Sequence, residues 1–401
     1  MSEAIDNQPS QTPIHFEDTS IAFQHKSDRD LLLSYLIFML TKRPFLVKFL
    51  SRAAKLSLSM GLPVKPLIKA TVFRQFCGGE TRREYQKVIA QLGRAGIGAI
   101  LDYSVEGGGD EAGFEETKKA ILKTIQQAGS NKNIPCACMK MTGVVAESLL
   151  EKMTAGDVLS KKDELAWERL KQRLSEICKL AGESGTPIYI DAEESWIQGV
   201  IDDLAEEMML NFNRERAIVF TTLQMYRTDR VGYFKRLIEN ARRNGCLLGV
   251  KIVRGAYMEQ ERERARRRGY PSPIHPDKPA TDRAFDEILR LFMDHMDEVE
   301  ICVGTHNETS CKLLTDFMAA KGIPNDHPHV WFSQLYGMSD HISYKLADAG
   351  YNVNKYLPFG PVASTLPYLA RRAEENTAIA GQMSKELEII VRERQRRRTA
   401  G

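Results

Sequence analysis

The chain has 401 residues, of which 43% are hydrophobic and 27% are charged, and its formal net charge is only +3. This is the composition of an ordinary globular protein, long enough for one large domain with an appendage or for two medium domains. The small net charge argues neither for nor against nucleic acid. Because the basic runs at 262–268 and 392–398 fall on helical patterns, we interpret them as solvated faces and expect no nucleic-acid partner.

The cysteines and the N-terminal residues bear on the cellular compartment. The seven cysteines are scattered without a Cys-x-x-Cys pair, and several lie on apolar runs, which indicates reduced thiols. Residues 1–26 are polar and carry neither an apolar signal core nor an arginine-rich amphipathic presequence. We therefore expect a cytoplasmic location, with peripheral contact to the inner face of a membrane as a further option.

The N-terminal part of the chain is predicted to be largely helical. Residues 1–26 are expected to form a flexible lead-in, and residues 27–95 a helical segment. The apolar run at 31–40 is too short to span a bilayer. The apolar and basic residues of 31–55 are compatible with a helix that lies on a membrane, although packing against the main domain is favoured.

From about Gly96 onwards, short apolar runs alternate with amphipathic helical patterns. The runs are too apolar for strands with one solvent-exposed face, so they predict parallel strands that are buried on both faces. The predicted strands are 97–103, 134–141, 187–191, 217–224, 247–254, 300–305, 329–334 and 353–358.

The predicted helices follow these strands, and an additional helical segment lies at 145–154. Eight strand–helix units within 96–376 predict an α/β fold, a (β/α)8 TIM barrel, followed by a basic helical tail over 377–401. A doubly wound open sheet is the alternative, but the glycine-rich phosphate-binding turn after its first strand is missing. The predicted helices are 112–128, 161–182, 194–211, 228–244, 258–268, 280–297, 307–321 and 340–349.

The stretch Asn354–Asn376 ends in a predicted helix with two adjacent cations. Pro361 suits the first helical position, because its missing N–H would be unpaired there anyway. Arg371 and Arg372 repel each other on a plain surface helix, whereas a carboxylate ligand would gain from both guanidinium groups. The alternative is an ion pair between Arg371 and Glu375 on a solvated helix face.

Polar side chains follow most of the predicted strands. In a (β/α)8 barrel the active site lies at the carboxyl ends of the strands, and the packed interior normally excludes charge. The polar set is therefore predicted to line an active site. Its members are Lys140, Asp191, Glu193, Glu194, Gln224, Tyr226, Lys251, Arg254, Thr305, His306, Gln334 and Tyr356.

Two kinds of site fit this set. The carboxylates within 191–194, together with His306, could ligate a divalent metal as in barrel hydrolases or aldolases. The cations outnumber the acids, however, which favours an anionic ligand such as a carboxylate or phosphate, and Gly255 allows close backbone approach. The cations are Lys140, Lys251, Arg254, Arg371 and Arg372.

Four motifs in this order resemble the proline dehydrogenase family, and the likeness spans about 70–376. A further stretch, ERERARRRGYPSPIHP at 261–276, is most similar to the monofunctional, mitochondrial-type branch. The four motifs are IDAEE at 190–194, VKIVRGAY at 250–257, THN at 305–307 and YLPFGP…YLARRAEEN at 356–376.

The resemblance implies a FAD-dependent enzyme with a distorted (β/α)8 barrel, whose final helix carries the two arginines above the active site. Arg371, Arg372 and Lys140 would bind the carboxylate of L-proline. Tyr356 and Leu335 would cover the substrate ring. These roles agree with the cationic character of the strand ends.

The remaining implied roles concern catalysis and the cofactor. Asp191 would pair with the arginine cluster, and Lys251 would sit beside the flavin N5, where many bacterial members have arginine. No metal is expected. FAD would be held by Ala192, Gln224, Arg254, Gly255, Ala256, Thr305, His306 and Glu375.

The implied reaction is the oxidation of L-proline to 1-pyrroline-5-carboxylate, the first step of proline catabolism to glutamate. It proceeds by hydride transfer from ring C5 to flavin N5, with the electrons then passed to a quinone. No side chain is assigned as the base that deprotonates the substrate amine. Since no aldehyde dehydrogenase module is evident, we expect the chain to stop after this oxidation. The alternative is a metal-dependent TIM-barrel hydrolase or aldolase that acts on an anionic substrate.

Overall fold

A computed structural model describes residues 14–41, 43–60, 62–103, 109–366, 368–369 and 382–400. Eight parallel strands close into a barrel in which consecutive strands pair and the eighth strand returns to the first. This confirms the predicted (β/α)8 architecture. The strands are β1 (Ile97–Tyr103), β2 (Ala137–Lys140), β3 (Ile188–Asp191), β4 (Val219–Gln224), β5 (Leu248–Val253), β6 (Val299–Gly304), β7 (Val330–Leu335) and β8 (Val353–Phe359).

Successive side chains of each strand point alternately into the barrel and towards the surrounding helices. In β5, Val250 and Ile252 belong to the large core between the sheet and the helices. Lys251 lies between them and contacts the rings of Tyr189 and Tyr356 inside the barrel. The apolar outer faces of the strands therefore hold the helices, while the inner faces are free to carry polar groups at their carboxyl ends.

The second strand is shorter than its sequence pattern suggests. The pattern predicts a strand over 134–141, whereas β2 covers only its second half. Pro135 has no N–H to donate to a neighbouring strand, and Ile134 N donates to Asn131 O at 2.8 Å in a turn. The chain therefore enters the sheet only after the proline.

The predicted helices of the barrel are confirmed, with small differences at their ends. One helix begins at Lys278 instead of residue 280, because the Asp277 side chain caps it by accepting from Ala280 N at 2.8 Å. The helices described are α1 (Thr19–Phe23), α2 (Asp28–Thr41), α3 (Pro44–Ser59), α4 (Lys65–Ile68), α5 (Arg74–Phe76), α6 (Arg82–Arg94), α7 (Glu111–Gly129), α8 (Glu147–Ala155), α9 (Lys161–Glu183), α10 (Ser195–Phe212), α11 (Arg230–Asn244), α12 (Met258–Arg268), α13 (Lys278–Met293), α14 (Glu308–Ala320), α15 (Asp340–Asp348) and α16 (Gln382–Ala400).

The helices from the two ends of the chain pack together beside the carboxyl end of the barrel. A second apolar core joins Phe23 of α1, Phe38 of α2 and Ile390 of α16. It is attached to the barrel after β7, where Gln75 Nε2 donates to Gly337 O at 2.7 Å. The terminal helices thereby cover one side of the region where a barrel active site is expected.

Part of the segment expected to be a flexible lead-in is packed against the protein. Ile14 and Phe16 belong to the main core. The Asp18 side chain caps α1, and Thr19 Oγ1 donates to the buried carboxylate of Glu393 at 2.9 Å. These contacts join segments far apart in the chain, so local composition gave no sign of them.

Within the described residues, no helix is long and apolar enough to cross a membrane. All seven cysteines are buried and free, as their scattered spacing predicts.

Candidate active site

Three side chains from separate strands meet inside the barrel near its carboxyl end. Lys251 Nζ on β5 donates to Asp191 Oδ1 on β3 at 2.6 Å. Tyr356 OH on β8 donates to Asp191 Oδ2 at 2.7 Å. All three residues are buried. Both oxygens of one carboxylate are thus held by protein donors from opposite sides of the barrel, and this Asp191–Lys251–Tyr356 cluster is the centre of the candidate site.

The electrostatics of this cluster favour a protonated lysine and a neutral phenol. Burial alone would lower the pKa of Lys251, but the Asp191 carboxylate more than offsets it, and the pKa is raised. Burial raises the pKa of Tyr356 well above its ordinary value, and the negative charges of Asp102 and Asp191 add to the shift. Lys251 Nζ also lies 4.9 Å from the Tyr356 ring centroid, a cation–π contact.

Two further residues belong to the same region and were missed by the sequence analysis. Asp102 is buried at the carboxyl end of β1, close enough to affect the pKa values of Tyr356 and Cys138. Thr222 of β4 pairs in register with Lys251, and its buried Oγ1 has no hydrogen-bond partner within the described residues. The rule of reading strand ends would have identified Asp102, whereas Thr222 has no distinguishing sequence signal.

Gln224 connects the ends of β3 and β5. Its Nε2 donates to Glu193 O at 2.7 Å, and its Oε1 accepts from Ala256 N at 3.0 Å. The Glu193 side chain turns the other way and accepts from both the backbone N–H and the hydroxyl of Thr142. Gln224 and Ala256, both predicted to hold a cofactor, are therefore in direct contact.

Arg254 forms a second polar cluster at the ends of β5 and β6. Its Nη1 donates to Thr305 Oγ1 at 2.6 Å, and its Nε donates to Asp282 Oδ1 at 2.7 Å. Gly255 follows with φ of +137°, and a Cβ there would lie 2.5 Å from the Tyr226 ring. Both the backbone angle and the lack of space favour glycine at position 255.

The remaining predicted residues lie around the same rim. Lys140 is half-buried at the end of β2 and pairs in register with Asp191. Leu335 at the end of β7 packs against the barrel interior and against the core of the terminal helices. His306 Nδ1 lies 2.9 Å from Ser339 Oγ, and Ala192 is half-buried directly after Asp191. The predictions for Arg371, Arg372 and Glu375 fall outside the described residues.

The metal-site alternative requires carboxylates and His306 to converge. Within the described ranges, no group of three or more His, Cys, Asp or Glu side chains could hold a metal ion. Asp191 and Glu193 instead accept hydrogen bonds from neighbouring protein donors. The strand ends bring together cations and hydrogen-bond donors, an arrangement suited to an anionic or electron-rich ligand.

The barrel is similar to solved structures of proline utilization A. The crystal structure of the Bdellovibrio bacteriovorus protein, inactivated by N-propargylglycine, superposes with a TM-score of 0.69 at 19% identity. The match covers 92% of this chain and 40% of that longer chain. At this identity the likeness supports the fold.

Curated relatives match most of the chain. The proline dehydrogenase 1, mitochondrial, of Dictyostelium discoideum is 32% identical over 428 aligned residues, covering 95% of this chain and 74% of the relative. The hydroxyproline dehydrogenase of Xenopus laevis is 30% identical over 427 residues, covering 97% of this chain and 91% of the relative. The relatives thus include proteins named for two different substrates.

The cytoplasmic location expected from residues 1–26 is wrong. The relatives from Dictyostelium discoideum, Arabidopsis thaliana and Homo sapiens are all named mitochondrial. The lack of a recognisable presequence pattern in those residues carries no positive information about a compartment, and free thiols do not distinguish one reducing compartment from another.

The family assignment combines the site with the match to a family model. The model of proline dehydrogenase matches residues 85–385, which include every strand of the barrel and the Asp191–Lys251–Tyr356 cluster. Together with the relatives, this match shows that the chain belongs to the proline dehydrogenase family of enzymes.

Proposed function

We propose that the protein catalyses the FAD-dependent oxidation of L-proline to 1-pyrroline-5-carboxylate. The observation that carries this proposal is the buried cluster of Asp191, Lys251 and Tyr356, set in the barrel of a proline dehydrogenase family member. A buried ionised pair beside an aromatic ring offers a fixed charge and an apolar surface in one place, which suits a small cyclic amino acid.

The residues present fit a flavin cofactor. Lys251 and Arg254 supply positive charge, and Gln224 and Thr305 supply amide and hydroxyl groups at neighbouring strand ends. The buried Oγ1 of Thr222, without a partner within the described residues, is a donor and acceptor directly beside Lys251. These residues, with Ala192, Gly255, Ala256 and His306, would hold FAD. When bound, FAD supplies the two-electron acceptor for the hydride from ring C5.

The substrate would be oriented by charge and shape. Lys140 at the end of β2 would bind the carboxylate, together with Arg371 and Arg372 as the sequence motif predicts. Tyr356 and Leu335 would cover the ring. A substrate held at its carboxylate and on its ring has one pose, which converts binding energy into alignment of the reacting carbon.

Among the described residues, no side chain is assigned as a dedicated base for the substrate amine. Asp191 already accepts hydrogen bonds from Lys251 and Tyr356, and the raised pKa of Lys251 keeps that side chain protonated. We therefore propose that L-proline reacts in its deprotonated-amine form. The rate should rise with pH as that form becomes more abundant.

The reaction is tested by mixing the flavin-loaded protein anaerobically with a panel of amino acids. L-proline should bleach the flavin absorbance near its visible maximum, whereas glycine and L-alanine should not, because they lack the ring. A preparation that binds no flavin, or a flavin that no cyclic amino acid bleaches, would overturn the proposal.

The N-terminal helices expose apolar side chains that are suited to contact with a membrane-bound electron acceptor. The exposed fractions of Phe45 and Phe49 on α3 are 79% and 58%, and that of Leu67 on α4 is 67%. Exposed Arg43 and Arg52 flank these side chains. Exposed apolar groups of this size mark an interaction surface, and apolar side chains with flanking cations suit an anionic bilayer. We call Phe45, Phe49, Arg43 and Arg52 the apolar–basic surface and propose that it contacts the membrane that holds a quinone acceptor.

Vesicle flotation tests this contact. Phe45→Glu/Phe49→Glu should abolish flotation with phosphatidylcholine–phosphatidylglycerol vesicles, because charged side chains do not enter the lipid interface. Activity with a soluble electron acceptor should stay unchanged, while activity with quinone embedded in vesicles should fall. Val158→Glu is the matched control, since Val158 is 97% exposed on a loop far along the chain. Equal flotation of the double variant and the wild type would contradict the proposal.

A further inference from the structure

Ser339, just after β7, links two regions that the family motifs do not connect. Its backbone N donates to Glu386 Oε1 of α16 at 2.7 Å, and its Oγ donates to the same oxygen at 3.0 Å. The same Oγ lies 2.9 Å from His306 Nδ1 after β6. One side chain therefore stands between the C-terminal helix and a residue of the candidate cofactor site.

The proton arrangement in this chain of contacts follows from the chemistry of the three groups. An ionised carboxylate only accepts hydrogen bonds, and a hydroxyl has a single proton to donate. Since Ser339 directs that proton to Glu386, His306 Nδ1 must donate to the Ser339 oxygen. Through this contact Glu386 favours the form of His306 that carries hydrogen on Nδ1, and the ring orientation that points this nitrogen at Ser339.

The backbone at Ser339 indicates that this arrangement is held in place against a local preference. Ser339 has φ of +49° and ψ of +43°, and it is the one non-glycine residue with positive φ among the described residues. Such a conformation persists in a non-glycine residue when the surroundings compensate for it, and this happens most often at functional sites. The compensation here comes from Glu386, which is buried and accepts both Ser339 hydrogen bonds.

We propose that Glu386 is a positioning residue for the cofactor, acting through Ser339 to fix His306, so that docking of α16 and binding of FAD are coupled. This inference rests on the proposed function, in which His306 contacts FAD. Coupling of this kind is reciprocal: whatever α16 adds to FAD affinity, FAD adds to the docking of α16.

A purely structural role for Glu386 would be to hold α16 in place. α16 has other attachments, since Glu393 accepts from Thr19 and Arg397 Nη2 donates to Phe23 O at 2.8 Å. These contacts do not involve Ser339. Removing the Glu386 carboxylate should therefore leave the helix docked while it releases His306, and the two roles can be separated by experiment.

The test compares FAD affinities, measured by quenching of flavin fluorescence on titration into the apoprotein. Glu386→Ala should raise the dissociation constant for FAD about tenfold, the effect expected for loss of one charge-assisted contact. Glu386→Gln retains an acceptor oxygen and should recover most of the affinity. Glu388→Ala, an exposed position on the same helix, is the matched control and should bind FAD as the wild type does.

A double-mutant cycle with His306 decides between the two roles. If Glu386 acts through His306, the double variant Glu386→Ala/His306→Ala should bind FAD as weakly as His306→Ala alone. Additive losses, or an unchanged FAD affinity in Glu386→Ala, would overturn the inference. Failure of the wild-type protein to bind FAD would instead overturn the proposed function, so the two failures are distinguishable.

Discussion

Two buried Lys–Asp pairs among the described residues have similar geometry and different surroundings. Lys251 lies 2.6 Å from Asp191 inside the barrel, and Lys355 lies 2.8 Å from Asp340 beneath the terminal helices. Lys355 also donates to Met338 O, and Asp340 additionally accepts from Lys26 at 2.9 Å. Within the part of the chain that the structure describes, Lys251 donates hydrogen bonds to Asp191 alone.

The pKa values of the two lysines are shifted in opposite directions. Burial lowers the pKa of Lys355, and the opposing negative charge of Asp340 does not offset this effect. Burial acts in the same direction on Lys251, but the negative charge of Asp191 more than offsets it, and the pKa of Lys251 is raised. We therefore expect Lys355–Asp340 to matter most for the stability of the fold and Lys251–Asp191 to matter most for catalysis.

The largest expected effect concerns the pair beneath the terminal helices. Lys355→Met should lower the free energy of unfolding by about 3 kcal/mol, because it leaves the buried Asp340 carboxylate with one fewer cation. Denaturant titration measures the change. Lys345→Met, which removes a partly exposed i,i+3 partner of Asp348, should change stability by less than about 1 kcal/mol. Equal effects of the two substitutions would contradict the comparison.

The matching substitution in the barrel should act on catalysis. Lys251→Met should slow flavin reduction by L-proline roughly a hundredfold, since its charge is needed most in the transition state. The affinity for L-proline should change less. Rapid-mixing absorbance measurements give both quantities. In Lys355→Met, the reduction rate per folded molecule should stay near the wild-type value. Poor L-proline affinity with a normal reduction rate in Lys251→Met would place that lysine on the substrate side.

The third effect is a pH dependence of stability. It belongs to His25, Lys26 and Lys355 around Asp340, here called the terminal cluster. Burial lowers the pKa of His25 to about 4, although Asp340 acts in the opposite direction at 3.8 Å, and the ring stacks on Tyr344. Between about pH 4 and 6.5 the unfolded chain binds more protons at His25 than the folded protein, so stability rises with pH across this window.

The substitution that tests this window is His25→Gln. As the pH falls from 6.5 to 4, the free energy of unfolding should decrease by roughly 2–3 kcal/mol less in this variant than in the wild type. Denaturant midpoints at several pH values measure the difference. Burial would raise the pKa of Asp340, but Lys26 and Lys355 hold it far below its ordinary value, so Asp340 contributes only below about pH 4. Curves of the variant and wild type that stay parallel from pH 4 to 7 would disprove the assignment.

The barrel could be predicted from the sequence because each of its strands and helices has a recognisable local pattern. The outward residues of β5, such as Val250 and Ile252, form an apolar strand that any window of the sequence reveals. The rule that active sites lie at strand ends then selected Asp191, Lys251 and Tyr356, which the structure brings together.

The terminal cluster could not be predicted in this way. Asp340 binds Lys26 and Lys355, and Ser339 binds Glu386. These contacts join residues on separate elements, and Lys26 lies more than three hundred positions from Asp340. No periodicity or motif marks such pairs, since each residue alone resembles a surface polar group. Pro135 at the entry of β2 is an intermediate case, because the proline is a local signal that delays the start of the strand to Ala137.

The smallest expected effect concerns substrate choice, where the relatives include proteins named for proline and for hydroxyproline. Tyr356 is fixed by its hydrogen bond to Asp191 and by its contact with Cys138 Sγ at 3.5 Å. A phenol held over the far edge of the proline ring would occupy the space that a 4-hydroxyl group needs. We therefore expect L-proline to be preferred over trans-4-hydroxy-L-proline.

Two substitutions at Tyr356 distinguish the effect of the space that its ring fills from the effect of its hydrogen bond. Tyr356→Ser should lower the ratio of kcat/KM for L-proline to kcat/KM for trans-4-hydroxy-L-proline about tenfold. The smaller side chain leaves room for the 4-hydroxyl group and offers it a hydroxyl partner. Tyr356→Phe keeps the ring and loses only the bond to Asp191, so the ratio should stay near that of the wild type while both rates fall. If Tyr356 merely fills the barrel rim, the serine variant would lower activity on both substrates equally. An unchanged ratio in that variant would therefore defeat the specificity role, even with lower activity.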